Sequence, residues 1–310
     1  MSIKIIRRFP DVNKPGFEFS KWNTQFHTHN VILNGMYSNY YYPIHWTPLS
    51  MKCAFGGNEY YIKNNIKYSV NDACFLIFND GTYYDSSINS DSKVESFTLN
   101  FNKKFSDDAF NSLSKTHEQL LDNPETQANI SPGFFEQLYP HDITSRKILG
   151  NIRRLINRPF TDNEAINEQL YSLIEYMFRI QKSAVYKANK LKAVKYSTRI
   201  ELYKRLNRAK DYIYSNYNEK VDINTLSKAA CLSPYHFLRS FKAAFGNTPN
   251  NYLQMRRINI SEELLLRTEK SISDICTLVG FVSLSSFGVL FKKFKGLSPE
   301  KFRSCQKKQL

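Results

Sequence analysis

Cysteine is scarce in this 310-residue chain: Cys53, Cys74, Cys231, Cys276 and Cys305 are odd in number, widely spread and free of any C-x-x-C pair. Such a set speaks against a disulfide framework and a structural zinc site and suits a reducing compartment. Long apolar runs are also missing. No stretch of signal-peptide length precedes Pro10 and Asp11. Residues 22 to 51 carry no Asp, Glu, Lys or Arg, but polar side chains and two prolines interrupt them, so they do not read as a membrane span. The chain therefore reads as cytoplasmic, with no membrane partner. Catalytic signatures are absent too: there is no G-x-S-x-G, H-E-x-x-H or P-loop. His27 and His29 form an isolated H-x-H with no Glu at the spacing a metal site needs. Neither an enzyme, a metal nor a cofactor is expected.

Acidic residues run short in one place only. The whole chain has 43 Lys and Arg against 28 Asp and Glu, a balance of +15. Up to residue 190 there are 21 basic and 19 acidic residues; beyond it there are 22 and 9. The last 120 residues thus carry +13, which points to one module that meets a polyanion and another that does something else. The length fits two domains at roughly 150 residues each, and 42% apolar content suffices for two cores.

From Thr47 to Phe101 short aromatic and β-branched runs alternate with turn residues at 55–58, 62–65 and 79–81, which predicts a small antiparallel sheet or barrel. In its last run Phe97, Leu99 and Phe101 alternate with Ser96, Thr98 and Asn100, as expected of a strand with one buried face. An irregular stretch with Pro124, Pro132 and Pro140 follows. Helical periodicity then covers 143–157 and 162–186. In the second helix Ile166, Leu170, Leu173, Met177 and Ile180 follow a heptad spacing. Two readings stay open: a helix lying on its own domain's sheet, or a seam that pairs two copies. Residues 191 to 205 are basic, poor in apolar periodicity and expected as a linker between domains 1–190 and 206–310.

The C-terminal part contains a divergent repeat. Ile223, Leu226 and Leu232 recur 49 residues later as Ile272, Ile275 and Phe281; Ser233, Phe237, Phe241, Gly246, Thr248, Pro249 and Tyr252 recur 50 later as Ser283, Phe287, Phe291, Gly296, Ser298, Pro299 and Phe302. Each copy reads as helix, tight turn, helix. Asp222 and Ser271 are expected N-caps of the first helices, and Ser233 and Ser283 of the second. Gly280 falls where a helix ends. An all-α double helix-turn-helix follows.

On the second helix of copy one, Phe237 and Phe241 face inward, which leaves Tyr235, His236, Leu238, Arg239 and Lys242 outward. Such a face suits a DNA major groove, where Arg reaches both acceptors of guanine. Ser283, Leu284, Ser285, Ser286 and Val289 occupy the matching region of copy two. Residues 249 to 267 between the copies read as one helix, a strut able to hold two reading helices near the roughly 34 Å spacing of successive major grooves. Arg256, Arg257, Lys292, Lys293 and Lys295 are the expected phosphate contacts on double-stranded DNA.

These residues resemble the AraC/XylS family of transcription regulators over about 100 positions. The likeness is carried by Leu226 to Ala230, Leu232-Ser233, Phe237-Leu238-Arg239, Phe241-Lys242, Gly246, Thr248-Pro249, Tyr252-Leu253, Arg257, Leu264-Leu265, Ile272, Ile275, Gly280-Phe281, Phe291 to Lys293, Gly296, Ser298-Pro299 and Phe302-Arg303. Three departures from the family pattern stand out: Ser261 and Cys276, where Ala is usual, and Gly288-Val289, where Ser-Arg is common. The last change leaves copy two without a long donor, so copy one is expected to carry most base readout.

The resemblance implies an α+β two-domain protein whose front part is a cupin-like β-barrel with a helical hairpin. It also implies control by a small-molecule effector, a homodimer and contact with RNA polymerase. The candidate effector residues are His45, Trp46, Phe55, Tyr60, Tyr83 and Tyr84, and a ligand-free dimerisation or partner-protein platform is the alternative.

Overall fold

The computed structural model describes residues 2–12, 14–115, 133–160 and 162–307. The stretch around Pro124 and Pro132 lies outside the described residues. The chain divides into two compact units, Met1–Val185 and Tyr186–Leu310. Among the described residues no helix is long and apolar enough to cross a membrane.

The first unit is mixed α+β. Strand β1 (Ile3–Ile6) runs parallel to β2 (Asn30–Thr47), and helix α1 (Phe19–Thr28) connects them. The long β2 pairs antiparallel with the similarly long β7 (Thr82–Asn100), with register shifts between Tyr37 and Asn39 and between Tyr42 and His45. Such irregularities bend a strand and increase its twist. The far half of β7 also carries β3 (Ser50–Phe55), which pairs in turn with β6 (Cys74–Phe78), and β6 pairs with β8 (Leu138–Pro140). The near half of β7 carries β4 (Glu59–Lys63), the first strand of a hairpin with β5 (Ile66–Val70). Asn64 and Asn65 both take positive φ there, 49° and 61°, as a two-residue hairpin turn requires. The path runs from β1 to β8 without joining its ends, so the sheet is open rather than a closed barrel.

One face of the sheet is covered by helices α2 (Lys103–Lys115), α3 (Ile143–Ile156) and α4 (Asn163–Asn189). Ile32, Met51, Phe75, Phe97, Leu99 and Phe101 meet Ile148, Leu149 and Ile152 of α3 there. An Asn151 to Gln169 side-chain bond of 3.1 Å ties α3 to α4. Ile166, Leu170, Leu173 and Met177 lie in this same core, with Ile180 packed against it. Ile166, Leu170, Leu173 and Met177 have no apolar surface left for a seam between copies, and Ile180 is half-buried against the same core. The spacing reflects a helix lying on its own sheet.

The alternation in the last strand has a different meaning from the one expected. Ser96, Thr98 and Asn100 are buried as fully as Phe97, Leu99 and Phe101. The polar positions turn to the inner face of a curved sheet, where Phe26 and Trp22 of α1 pack with Val31, Leu33 and Trp46. The strand separates an apolar core from a polar interior, not a core from solvent.

The second unit is helical: α5 (Tyr196–Ser215), α6 (Ile223–Ala229), α7 (Pro234–Phe245), α8 (Pro249–Arg267), α9 (Ile272–Leu278), α10 (Leu284–Lys295) and α11 (Pro299–Lys307). Helix α5 begins inside the stretch expected as a linker. Its buried Tyr203, Leu206, Ala209 and Ile213 supply the stripe that places it in the core, and the apparent lack of periodicity holds only before Tyr196.

Candidate nucleic-acid interface

The two copies of the repeat fold alike down to their aromatic packing. In copy one the Phe237 and Phe241 rings lie 5.3 Å apart at 62°, and Phe241 meets Tyr252 edge-on at 5.7 Å. In copy two Phe287 and Phe291 lie 5.7 Å apart at 62°, and Phe291 meets Phe302 at 5.5 Å. The caps repeat as well. Asp222 accepts from Thr225 N, Ser271 forms a capping box with Asp274, and Ser283 accepts from Ser286 N. Ser233 makes no side-chain cap, and Pro234 at the first helical position starts α7 instead.

These cores turn one side of α7 and of α10 outward. Tyr235, His236, Leu238, Arg239 and Lys242 are all exposed. So are Ser283, Leu284, Ser285, Ser286 and Val289. Every expected base-reading residue is thus accessible on the face opposite the phenylalanines. An outward row of ring, guanidinium and ammonium on α7 matches what a groove floor with acceptor atoms requires.

The expected phosphate contacts divide. Lys292 and Lys293 are exposed, as that role needs. Lys295 is engaged: its ammonium donates to Glu262 Oε2 at 2.5 Å and to Asn259 Oδ1 at 3.1 Å, which fixes α10 to α8. Arg256 is buried, its guanidinium stacked 4.4 Å from the Tyr214 ring, so it does not reach a phosphate. Arg257 donates to the Tyr217 and Glu219 carbonyls at 2.7 and 2.9 Å and lies over the Phe281 ring of copy two. Burial lowers its pKa from the usual value. Both arginines are scaffold: periodicity placed them on α8, but partners distant in sequence decided which way they face.

Arg257 also explains how the copies are held together. The loop it grips includes Asn218, and a Cβ at Gly280 would sit 2.6 Å from the Asn218 carbonyl oxygen. Copy two's turn is pressed against that loop, while α8, 19 residues and about 28 Å long, runs between the copies. Sequence reasoning missed both α5 and this contact, because neither belongs to the repeat.

Residues 226–304 match the family model described as a helix-turn-helix domain. The bifunctional transcriptional activator/DNA repair enzyme AdaA of Bacillus subtilis is 37% identical over 97 residues, 31% of this chain and 46% of AdaA, so the chain spans under half of that relative. The probable transcription factor PqrA of Proteus vulgaris is 35% identical over 86 residues, 28% of this chain but 70% of PqrA. The chain belongs to the AraC/XylS family. Among solved structures, the DNA-binding domain of AdpA in complex with a target DNA aligns with 24% identity and a TM-score of 0.33, covering 34% of this chain and 94% of that one.

Two departures from the AraC/XylS pattern are accommodated by packing. Ser261 is buried and donates to the Arg257 carbonyl at 2.7 Å, so its hydroxyl is satisfied within α8. Cys276 is buried, with Sγ 3.8 Å from the Phe281 carbonyl oxygen.

The effector candidates of this AraC/XylS chain also divide. His45, Trp46 and Tyr84 line a cavity on the inner face of the sheet with Tyr42, Glu59, Tyr61, Thr98 and Asn100. Phe55 lies on the other face under the Arg153 guanidinium, Tyr60 carries the Lys67 ammonium 3.9 Å from its ring centre, and Tyr83 is exposed. None of these three reaches the cavity.

Two residues that sequence reasoning missed dominate the interior. Lys52 is fully buried and donates to Tyr84 OH at 2.7 Å and Thr47 Oγ1 at 3.3 Å; burial pushes its pKa down to about 7. Glu59 is fully buried and accepts from Tyr40 OH at 2.6 Å; burial raises its pKa, against the pull of that bond. Ser96 and Tyr61 stand close enough to Glu59 to hold its pKa down somewhat, yet Glu59 Oε2, Tyr61 OH and Ser96 Oγ make no bond of ordinary geometry. A lone charge in an otherwise apolar strand, Ser50–Phe55, was the available signal.

Proposed function

We propose that this chain is a sequence-specific DNA-binding transcription regulator that reads two adjacent major grooves, and that it is not an enzyme. The carrying observation is the outward face of α7, where Tyr235, His236, Leu238, Arg239 and Lys242 are exposed while the phenylalanines behind them close the core. Among the described residues no hydrogen bond or ion pair occupies the Arg239 guanidinium, which leaves its donors for a guanine edge. Arg257, the Asn218 contact and Lys295 support a fixed spacing between the copies. Selection of bound duplexes from a random pool by the full chain tests this. A motif with two half-sites one helical turn apart is expected, and failure to prefer any sequence over scrambled competitor at ordinary ionic strength would refute it.

In this reading residues 206–310 form the DNA-binding domain, 191–205 lead into it, and residues 1–190 form a cupin-like regulatory arm that acts in the cytoplasm with a homodimer and RNA polymerase as partners. Effector control is supported by the cavity's composition. A buried Lys and Glu with orphaned hydroxyls around them are costly for a domain that only needs to fold. The cavity, however, is only about 20 Å³, room for one water, whereas ligand pockets hold hundreds. An effector would therefore bind through a rearrangement of α1 and the Trp46 region. The ligand-free platform is the second reading, favoured by that small volume. A thermal-shift screen against small polar metabolites separates them: a ligand of the native state raises the melting temperature, and a blank screen favours the platform.

A further inference from the structure

The reading face of α10 differs in kind from that of α7, although the aromatic cores beneath them superpose in geometry. The repeat offset places Ser285, Gly288 and Val289 where copy one has Tyr235, Leu238 and Arg239. None of the three is a long hydrogen-bond donor. Beside the short hydroxyls of Ser283, Ser285 and Ser286, copy two exposes apolar side chains: Val282 is fully exposed, Val289 is 70% exposed and Leu284 is 50% exposed. The core of copy two is already closed by Phe281, Phe287 and Phe291, so folding does not require this apolar surface.

Gly288 adds an independent observation. It lies inside α10, where glycine is destabilising by roughly 0.5–1 kcal/mol relative to alanine. A Cβ there would meet nothing within 4 Å, so no packing contact demands its absence. Its effect is to thin the helix next to Val289, so that the backbone can approach a partner closely. The flanks are cationic, with Lys292 and Lys293 exposed one turn further along. In helix-turn-helix docking, residues early in the reading helix meet base edges and its flanks meet phosphates. A first half of the helix that presents Leu284 and Val289, thinned at Gly288 and followed by lysines, fits a major groove whose edge is itself apolar, and in DNA that edge is the 5-methyl group of thymine.

We infer that the two half-sites are read by different chemistry: α7 through hydrogen bonds from Arg239 to a guanine edge, and α10 through Val289 and Leu284 packed on thymine methyls. The inference rests on the DNA-binding reading proposed above. It predicts an asymmetric operator, with a fixed guanine in one half and A·T pairs in the other.

The test uses the full chain and the duplex selected from a random pool. Thymines are replaced one at a time by uracil, which lacks only the methyl. Loss of one methyl contact should weaken binding about fourfold. That loss is expected at one or two thymines of the second half-site and at none in the first. Val289→Ala should reduce the sensitivity to uracil at the thymine it packs on and leave any thymine read by Leu284 sensitive, and Val289→Arg should shift the second half-site toward guanine while the first keeps its sequence. If uracil leaves affinity within twofold at every thymine of the second half-site, the methyl-reading assignment is overturned and the DNA-binding reading stands. If no duplex is selected at all, both fall together.

Discussion

Replacing Gly280 by alanine probes whether the two helix-turn-helix copies are locked to each other. Gly280 has φ of +88°, and a Cβ would lie 2.6 Å from the Asn218 carbonyl oxygen and 2.9 Å from its carbonyl carbon and Cα. The left-handed conformation costs an L-residue roughly 1–2 kcal/mol. The clash is with backbone, which cannot rotate away, and forced repacking of this kind adds about 1–3 kcal/mol. A loss of about 2–5 kcal/mol is therefore expected, a large share of a domain's usual 5–15. Position 231 is the matching site in copy one, and there a cysteine holds φ of +52°. Cys231→Gly relieves that strain but gives the unfolded chain more freedom, so a net gain of about 0–1 kcal/mol is expected. Urea unfolding of the full-length variants measures both. The alanine variant should also lose its advantage for a two-half-site duplex over a single half-site, because Arg257 grips the same loop through the Tyr217 and Glu219 carbonyls. A Gly280→Ala protein within about 0.5 kcal/mol of the parent, with its two-site preference intact, would refute the locked arrangement.

Arg239→Ala should lower affinity by about 1–3 kcal/mol and relax one operator position, whereas Lys293→Ala should weaken all sequences alike and reduce the salt slope by about one; titration by gel shift at several salt concentrations distinguishes them. Arg256→Met should leave that salt slope unchanged and leave stability equal or improved, since Nε and Nη2 of the buried guanidinium have no hydrogen-bond partner. Burial lowers His45 and His141 to a pKa of about 4, so each stays neutral in the fold while the unfolded chain takes up protons below about 6.5. Their contribution is present above pH 6.5 and lost as pH falls toward 4, up to about 3 kcal/mol apiece, so the melting temperature of the first unit should drop through that window. Lys52, held down to about 7, makes the fold bind fewer protons than the unfolded chain between pH 7 and 10.5. Stability should rise with pH across that range, and Lys52→Met should flatten the rise.

The helical half was legible because its signal is internal and doubled. Ten matched positions fixed both helix-turn-helix cores, and the outward set on α7 followed from helical spacing alone. What spacing could not supply was the direction in which α8 and the end of α10 turn their cations. Arg256, Arg257 and Lys295 share the long, flexible, charged character of Lys292 and Lys293, yet three of the five are held by Tyr214, by the carbonyls of residues 217 and 219, and by Glu262. Those partners lie 33 to 42 residues away in sequence, and no local periodicity encodes them.

The sheet was legible from its turns but not in its sidedness. Alternation of Phe97, Leu99 and Phe101 with Ser96, Thr98 and Asn100 reports that two environments exist, not which of them is water. On a flat sheet the polar set would face solvent. On a strand bent at two register shifts of its partner β2, the polar set faces inward and meets Lys52 from β3 and Glu59 from β4. The distinguishing mark was available elsewhere in the chain: residues 22 to 51 contain no ionisable Asp, Glu, Lys or Arg, and the first two charges after them, Lys52 and Glu59, are both buried completely. A charge that follows thirty residues without Asp, Glu, Lys or Arg and sits between Met51 and the run Cys53-Ala54-Phe55 is poorly explained as a solvating group. Its burial carries a desolvation penalty that a sheet designed only to pack would avoid by using a methionine there. That penalty is why the cavity between α1 and the sheet, rather than the exposed Tyr83 or the helix-side Phe55, is the place to test the proposed effector control.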